Sequence, residues 1–403
     1  MYYYCRAVEK LRPRDRLDRR LDARRLRGRH LRAVARALDA LHASAEVCAD
    51  EVDAGPIALA KRLREHADAL AQRCGGAVAD DALPRLLAAQ QRFLIDAVDV
   101  LLERASTGRV RRLHGRIACR NIAVDRCGTV RLVAPDPEAR GDVAEDVAAL
   151  AIDLRARGAA RRAEAFAAAY AWAADDYALY RVLDGYERDA AVRLAFEASV
   201  RAGAGPEPAA YLRAVLDAVC SAPLVIATSG GVATGKSRLA KAVARRLAAP
   251  RVAADRVQHA LLAPIPDAVA HELVWDRGFG ERVYGGMFQR AEAVLASGRS
   301  VVLDACFADA ERRREAAALA ARHGADIVFA ECNAPPEVVE ARLRRRDRRC
   351  GGTPGGWPSL ARIVTARWQA PDPGEPGRHL RVDTGRPQSE WLRALEPLQG
   401  RRA

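Results

Sequence analysis

The sequence predicts an α/β protein in two parts: a mainly α-helical region over residues 1–218, then a parallel sheet with helices on both faces over 219–403. Three observations predict it. Helical periodicity dominates up to about residue 218, and strands alternate with helices from Pro223 onward. A glycine-rich run, Gly230-x-x-x-x-Gly235-Lys236-Ser237, separates the first strand of that alternation from its first helix. Such alternation implies parallel strands joined by right-handed crossovers.

Within the first part, "HLRAVARALDALHASA" (30–45) sets Leu31, Val34, Leu38 and Leu41 on one stripe, the spacing of an amphipathic helix. "LPRLLAAQQRFLIDAVDVLLERA" (83–105) reads the same way. One strand-like interruption, "NIAVDRCGTVRLVAP" (121–135), places two β-rich runs around a polar turn ending in glycine, which predicts a hairpin. Helices resume with "VAEDVAALAIDLRARG". In the second part the predicted strands are "PLVIAT" (223–228), "RVAAD" (251–255), "SVVLDA" (300–305), "ADIVFAEC" (325–332) and "HLRVDT" (379–384). Helices fill the gaps. "PPEVVEARLRRRDRR" opens on proline, as helix starts favour. The loop "CGGTPGGWPS" follows it.

Composition narrows the classes. No run of eighteen uncharged apolar residues exists, so no membrane partner is expected. The start, "MYYYCRAVEKLRPRDR", lacks the apolar core of a secretory signal. Nine cysteines are scattered without a C-x-x-C pair, which argues for a reducing cytoplasm and against a zinc knuckle. The net charge of +14 raises nucleic-acid binding, but only four lysines occur and the arginines alternate with acids along helices. That pattern is a solvated helix surface, so no dedicated nucleic-acid binding is expected.

The run Gly230-Gly231-Val232-Ala233-Thr234-Gly235-Lys236-Ser237 fits the Walker A pattern at every fixed position. Backbone N–H groups must curl around a phosphate, which needs glycines free of a Cβ. The helix starting near Lys236 turns its positive end to the anion. ATP is therefore the expected ligand of these eight residues, with Lys236 on the β/γ oxygens and the Ser237 hydroxyl on Mg²⁺. Asp304, ending the apolar strand "VVLD", suits a carboxylate holding the metal through water, or else the N-cap of the next helix. Asp255 closes "RVAAD", where a carboxylate faces the ligand crevice and can take the proton of an attacking hydroxyl; a helix cap is its other reading. Arg342, Arg344, Arg345 and their neighbours precede the glycine-rich loop and suit either a lid closing over transferring phosphates or a solvated helix.

Residues 223–398 resemble the small-molecule P-loop kinases related to gluconate kinase, adenylate kinase and the zeta-toxin kinases. The resemblance lies in "SGGVATGKSRLA", "RVAADRVQ", "VYGGMFQRAEAVLASGRSVVLDACF", "APPEVVEARLRRR" and "HLRVDT". It is strongest to the kinase half of bifunctional aminoglycoside phosphotransferase/ATP-binding protein chains. It implies an adenylate-kinase-like P-loop domain, Asp255 facing a small hydroxylated acceptor, and Arg345 or a nearby arginine stabilising the transferred phosphoryl. The family's Ser-Asp-Ala after the lid reads Ser359-Leu360-Ala361 here, which lacks the acid.

In the first part, "LHGRIACRNIAVD" (113–125) is similar to the catalytic loop of aminoglycoside phosphotransferases, His-Gly-Asp-x-His-x-x-Asn-Ile. His114, Gly115, Asn121 and Ile122 match, but Arg116 stands at the catalytic aspartate and Ala118 at the second histidine. An arginine cannot accept a proton. Asp136 meets the expected metal position only with a one-residue shift, and the family's small β lobe is expected to be missing unless the start was misassigned. The resemblance thus implies a kinase-like large lobe without phosphoryl transfer. The expectation is ATP-dependent phosphorylation of a small hydroxylated molecule by residues 219–403; the alternative is an ATP-binding regulatory or zeta-toxin-like module acting through partners or on a nucleotide-sugar.

Overall fold

In the computed structural model the chain is described over residues 11–48, 56–74, 82–201, 205–216, 222–265, 269, 273, 276–350, 361–362 and 364–394. It forms two compact units, Met1–Val219 and Cys220–Ala403.

The amino-terminal unit is chiefly helical. Helix Gly28–Ser44 packs on Ala160–Ala174, and Val143–Ala156 packs on both Ala160–Ala174 and Tyr180–Val200. Leu31, Val34 and Leu38 are buried as the stripe predicts, with Leu41 half-buried at its end. Helix Val143–Ala156 is buried on nearly every side; its alanines let neighbouring helices approach closely, and Asp142 caps its start by accepting from the Ala144 amide at 2.8 Å. The stretch read as one helix over 83–105 is two, Ala82–Asp96 and Val98–Ser106, because Ala97 (φ −103°, ψ 4°) leaves helical geometry between them.

Two short antiparallel pairs interrupt the helices. Strands β2 (Ile122–Val124) and β3 (Val130–Leu132) form the predicted hairpin, turned by Asp125, whose carboxylate accepts from the Thr129 amide at 2.9 Å. Strands β1 (Val110–Arg112) and β4 (Arg140–Asp142) also pair. Nothing local in the sequence predicts that second pairing, since its strands lie far apart along the chain.

The carboxy-terminal unit holds a five-stranded parallel sheet, β5 (Leu224–Ser229), β6 (Arg251–Ala253), β7 (Val301–Asp304), β8 (Asp326–Asn333) and β9 (Arg378–Asp383), in the order β6-β7-β5-β8-β9. Successive residues of a strand face opposite sides. Ile226, Val302, Val328 and Val382 join Leu239, Val243 and Trp391 in one core cluster. Val225, Ala227, Val301 and Leu303 alternate with the sheet members of that cluster and are equally buried, so both faces are covered. A sheet buried on both sides requires near-continuous apolar strands, which is how "LVIAT" and "VVLD" read. Strand β6 ends at Ala253, two residues earlier than predicted, and helix Ala254–Leu262 begins at once. No helix among the described residues is long and apolar enough to cross a membrane.

Candidate functional site

The loop after β5 carries left-handed backbone at three places: Gly230 (φ 122°), Ala233 (φ 61°) and Gly235 (φ 100°). Glycine is required at the first, where a Cβ would stand 2.6 Å from the Cys332 carbonyl oxygen. Gly230 also donates its amide to the Cys306 carbonyl at 3.0 Å, which ties the loop to the end of β7. Ala233 adopts a conformation that costs an alanine about 1–2 kcal/mol. That strain is held from outside: Arg342 donates to the Ala233 carbonyl at 3.2 Å, and the Thr384 hydroxyl donates to the Thr234 carbonyl.

Gly235 caps helix Lys236–Leu247 without any side-chain hydrogen bond to its first turn. Among the described residues, no protein acceptor takes the amides of Val232, Ala233, Thr234, Gly235, Lys236 or Ser237. A row of unclaimed N–H groups at a helix N-terminus is a site for an anion. The Lys236 ammonium lies across the same loop, donating to the Gly230 and Gly231 carbonyls at 3.0 and 2.6 Å. Bonds from an ammonium to anionic oxygens are stronger than bonds to neutral carbonyls, so phosphate can draw it off them.

The loop forms part of a cleft of about 1340 Å³ that also takes in Ser237, Asp255, Asp304, Arg342, Arg345 and Arg346. Asp304 ends β7 at 6% exposure. Its Oδ1 accepts from Ser237 Oγ at 3.2 Å and its Oδ2 from Arg251 Nη1 at 2.8 Å. Burial pushes this carboxyl above its usual range, against the pull of Arg251; the negative charge of Asp255 adds to the rise. The helix-cap reading of Asp304 is excluded, because Asp309 caps the following helix by accepting from the Arg312 amide at 2.9 Å.

Asp255 does not close a strand. It lies in the first turn of helix Ala254–Leu262, where Ala253 is the N-cap residue, and its side chain is 80% exposed at the cleft. Arg346 approaches it at 3.8 Å. On helix Pro336–Cys350, the spacing i, i+3, i+4 turns Arg342, Arg345 and Arg346 to the cleft, while Arg344 pairs with Glu340 at 2.8 Å. Arg342, not Arg345, grips the phosphate loop, and it also donates to the Thr384 carbonyl at 2.8 Å. The glycine-rich loop after this helix, with Ser359 and Leu360, lies outside the described residues. Sequence reasoning missed Arg251, Arg342 as a loop contact, and Thr384. An arginine opening an otherwise apolar strand was the one available signal for Arg251.

The donors fit a magnesium ion. Ser237 Oγ and the Asp304 carboxylate are hard oxygen ligands side by side. No group of three or more His, Cys, Asp or Glu able to hold a metal occurs among the described residues. One carboxylate and one hydroxyl suit Mg²⁺, an ion that keeps several waters and takes substrate phosphates as ligands.

In the amino-terminal unit, the loop "LHGRIACRN" is pinned from behind by Asp146, which accepts from the His114 and Gly115 amides at 2.8 and 3.0 Å. Arg116 is exposed and stands 3.7 Å from Asp136, and Asn121 donates to the Arg116 carbonyl at 2.7 Å. The structure thus brings Arg116, Asn121 and Asp136 together.

Residues 225–354 match a family model described as "AAA domain". With its five-stranded parallel sheet flanked by helices, the carboxy-terminal unit is α/β. The chain is 31% identical over 257 residues to "Uncharacterized protein Rv2004c" of Mycobacterium tuberculosis and, at the same identity, to "Uncharacterized protein Mb2027c" of Mycobacterium bovis; these alignments cover 61% of this chain. The chain spans about half the length of these curated relatives, 50% in each case. Among solved structures it is similar to a gluconokinase from Sinorhizobium meliloti 1021 (19% identity, 45% of this chain and 99% of that one, TM-score 0.33). It is also similar to the Mycobacterium tuberculosis APS kinase CysC solved with AMPPNP and APS (23% identity, 44% and 96%, TM-score 0.32).

Proposed function

We propose that the carboxy-terminal unit is an ATP- and Mg²⁺-dependent kinase that phosphorylates a hydroxyl of a small molecule, working in the cytoplasm. One observation carries this reading: the unclaimed amides from Val232 to Ser237, with Lys236 beside them, at the head of a helix. The amides take the anionic oxygens of the nucleotide, and Lys236 moves from the loop carbonyls onto the β/γ oxygens. Ser237 and, through water, Asp304 would hold the metal, which would supply neutralisation of charge on the phosphates. Asp255 orients the acceptor hydroxyl and receives its proton as the acceptor oxygen bonds to the γ-phosphorus and the bond to the β-phosphate oxygen breaks. Arg345 and Arg346, turned to the same cleft, stabilise the charge spread over the transferring group. Phosphoryl transfer asks little covalent work of a protein, so positioning and charge suffice.

The amino-terminal unit, in this reading, transfers no phosphoryl group. Arg116 beside Asp136 removes the base from the one loop that resembles a phosphotransferase's. The test is incubation of the full chain with labelled ATP and a pool of hydroxylated metabolites. A new phosphorylated species is expected from the unaltered protein and none from Lys236→Ala. Equal ATP consumption by the two proteins would refute the assignment.

A further inference from the structure

The reading above assigns Ser237 and Asp304 to the metal but leaves unexplained a charged side chain, Arg251, that is paired with Asp304 and largely removed from solvent. Arg251 opens β6, and its guanidinium reaches Asp304 Oδ2 at 2.8 Å, with side-chain exposures of 12% and 5% for the two partners. The register explains the reach. Strands β6 and β7 are parallel with Arg251 opposite Val302 and Ala253 opposite Asp304, so Arg251 sits one strand repeat, about 6.6 Å, below the carboxylate. Arg251 and Ala253 share a face of the sheet, and the alanine has no side chain long enough to block the guanidinium.

Removing two such charges from water is costly, and an ion pair of this kind is weak support for a fold as such. What this one does have is a defined geometry. Two donors from different elements divide the carboxylate between them: Arg251 takes Oδ2 from below, and Ser237 takes Oδ1 at 3.2 Å from the head of the helix after the loop. The rotation of the carboxylate is thereby set, with Oδ1 on the side of the Ser237 hydroxyl.

We infer that Arg251 is a positioning residue: by holding Oδ2 of Asp304 it keeps Oδ1 beside Ser237 Oγ, so that the pair is preset for the divalent cation bound with a nucleotide's phosphates. This inference rests on the nucleotide reading proposed above. Arg251 touches neither nucleotide nor acceptor in this arrangement. It acts through Asp304, as partners behind a metal ligand do, and their loss commonly weakens metal binding by about 10–100-fold.

The test is calorimetric titration of the full chain with ADP, once in EDTA and once in saturating magnesium, for the unaltered protein, Arg251→Met, Arg251→Gln and Asp304→Asn. The unaltered protein is expected to bind ADP more tightly with magnesium. Arg251→Met is expected to lose roughly tenfold of that magnesium-dependent gain while its affinity in EDTA stays within about twofold. Adding Arg251→Met to Asp304→Asn is expected to cost none of the magnesium-dependent gain that remains, because the arginine's effect on the metal runs through that carboxylate. Should Arg251→Met fail to fold, Arg251→Gln carries the same readout, since it keeps an N–H donor but is too short to hold Oδ2; about a threefold loss of the gain or more is expected. A full magnesium gain in the folded Arg251 variant overturns the inference alone. So does an equal loss in both buffers, or an added loss of the gain in the double variant. No heat from the unaltered protein in either buffer overturns the nucleotide reading, and the inference with it.

Discussion

Both units bury charge, but they do so to different ends. In the amino-terminal unit, Arg104 is 2% exposed and donates twice to Asp142, at 2.6 and 2.8 Å, and twice to Asp176, at 2.9 and 3.0 Å. Burial alone would favour its neutral form, yet the two carboxylates hold it well above the usual arginine range. The cluster is closed upon itself and offers a ligand nothing. In the carboxy-terminal unit the cleft mixes held and open groups: Asp304 is fixed by Arg251 and Ser237, but Lys236 meets only two neutral carbonyls, Asp255 one arginine at 3.8 Å, and six loop amides no described protein acceptor. The contrast is not one of composition, for the second unit has its own closed pair in Arg313 and Glu375, bonded at 2.6 and 2.8 Å. Charges that satisfy one another hold a fold; charges left with weak partners around a cavity mark where a ligand supplies the rest.

Substitutions can break or sharpen that comparison. The largest effect is expected at Lys236→Ala, which should lower kcat/KM for ATP-dependent phosphorylation by roughly a thousandfold. Its chemical unfolding midpoint should barely move, because the ammonium supports only the loop it crosses. Arg104→Met should do the reverse. Leaving Asp142 and Asp176 buried without their cation should cost the amino-terminal unit about 3–5 kcal/mol in urea unfolding, while ADP affinity measured on the folded chain stays unchanged. An Arg104→Met chain with wild-type stability would remove the distinction drawn here.

Gly230→Ala should have a smaller effect, confined to the carboxy-terminal unit. The added Cβ meets the Cys332 carbonyl at 2.6 Å and the φ of 122° disfavours any side chain, so a loss of about 1–3 kcal/mol and weaker ADP binding are expected. The smallest effect concerns pH. Burial pushes the Glu145 carboxyl up to about 7, although Arg62 donates to it at 3.0 Å. The folded chain therefore binds this proton more tightly than the unfolded chain, whose carboxyl titrates near 4.5. Stability from this group is full below about pH 4.5 and declines as pH rises towards 7. Glu145→Gln should flatten that decline in melts recorded from pH 5 to 8, and an unaltered slope would show that Glu145 is not its source.

Much of the carboxy-terminal unit was legible because its signals are local. The glycine-lysine-serine spacing, the apolar runs and the helix starts each concern fewer than a dozen neighbours, and local spacing is what periodicity reports. Asp304 was singled out because it ends an apolar strand, and the structure puts it there. Asp255 was singled out but placed on a strand instead of a helix, since "RVAAD" carries no mark of where strand gives way to helix. Arg345 was singled out from a run of arginines that a sequence cannot rank, and only the phase of the helix separates Arg342 and Arg345 from Arg344. In the first part, the pairing of β1 with β4 and the turn at Ala97 had no signal of comparable strength.

By itself, then, the amino-acid order determined that residues 230–237 form a backbone cradle ahead of a helix, because that outcome depends on φ freedom and short-range hydrogen bonding. It also determined that a parallel sheet follows, because apolar alternation with helices has few other solutions. Only the tertiary structure decided that Arg251 lies beneath Asp304, that Arg342 and Thr384 brace the loop, and that Arg104 closes on two distant aspartates. These partners come from segments 38 to 150 residues apart, and contacts across such distances are set by strand order and packing, which no local window of sequence contains.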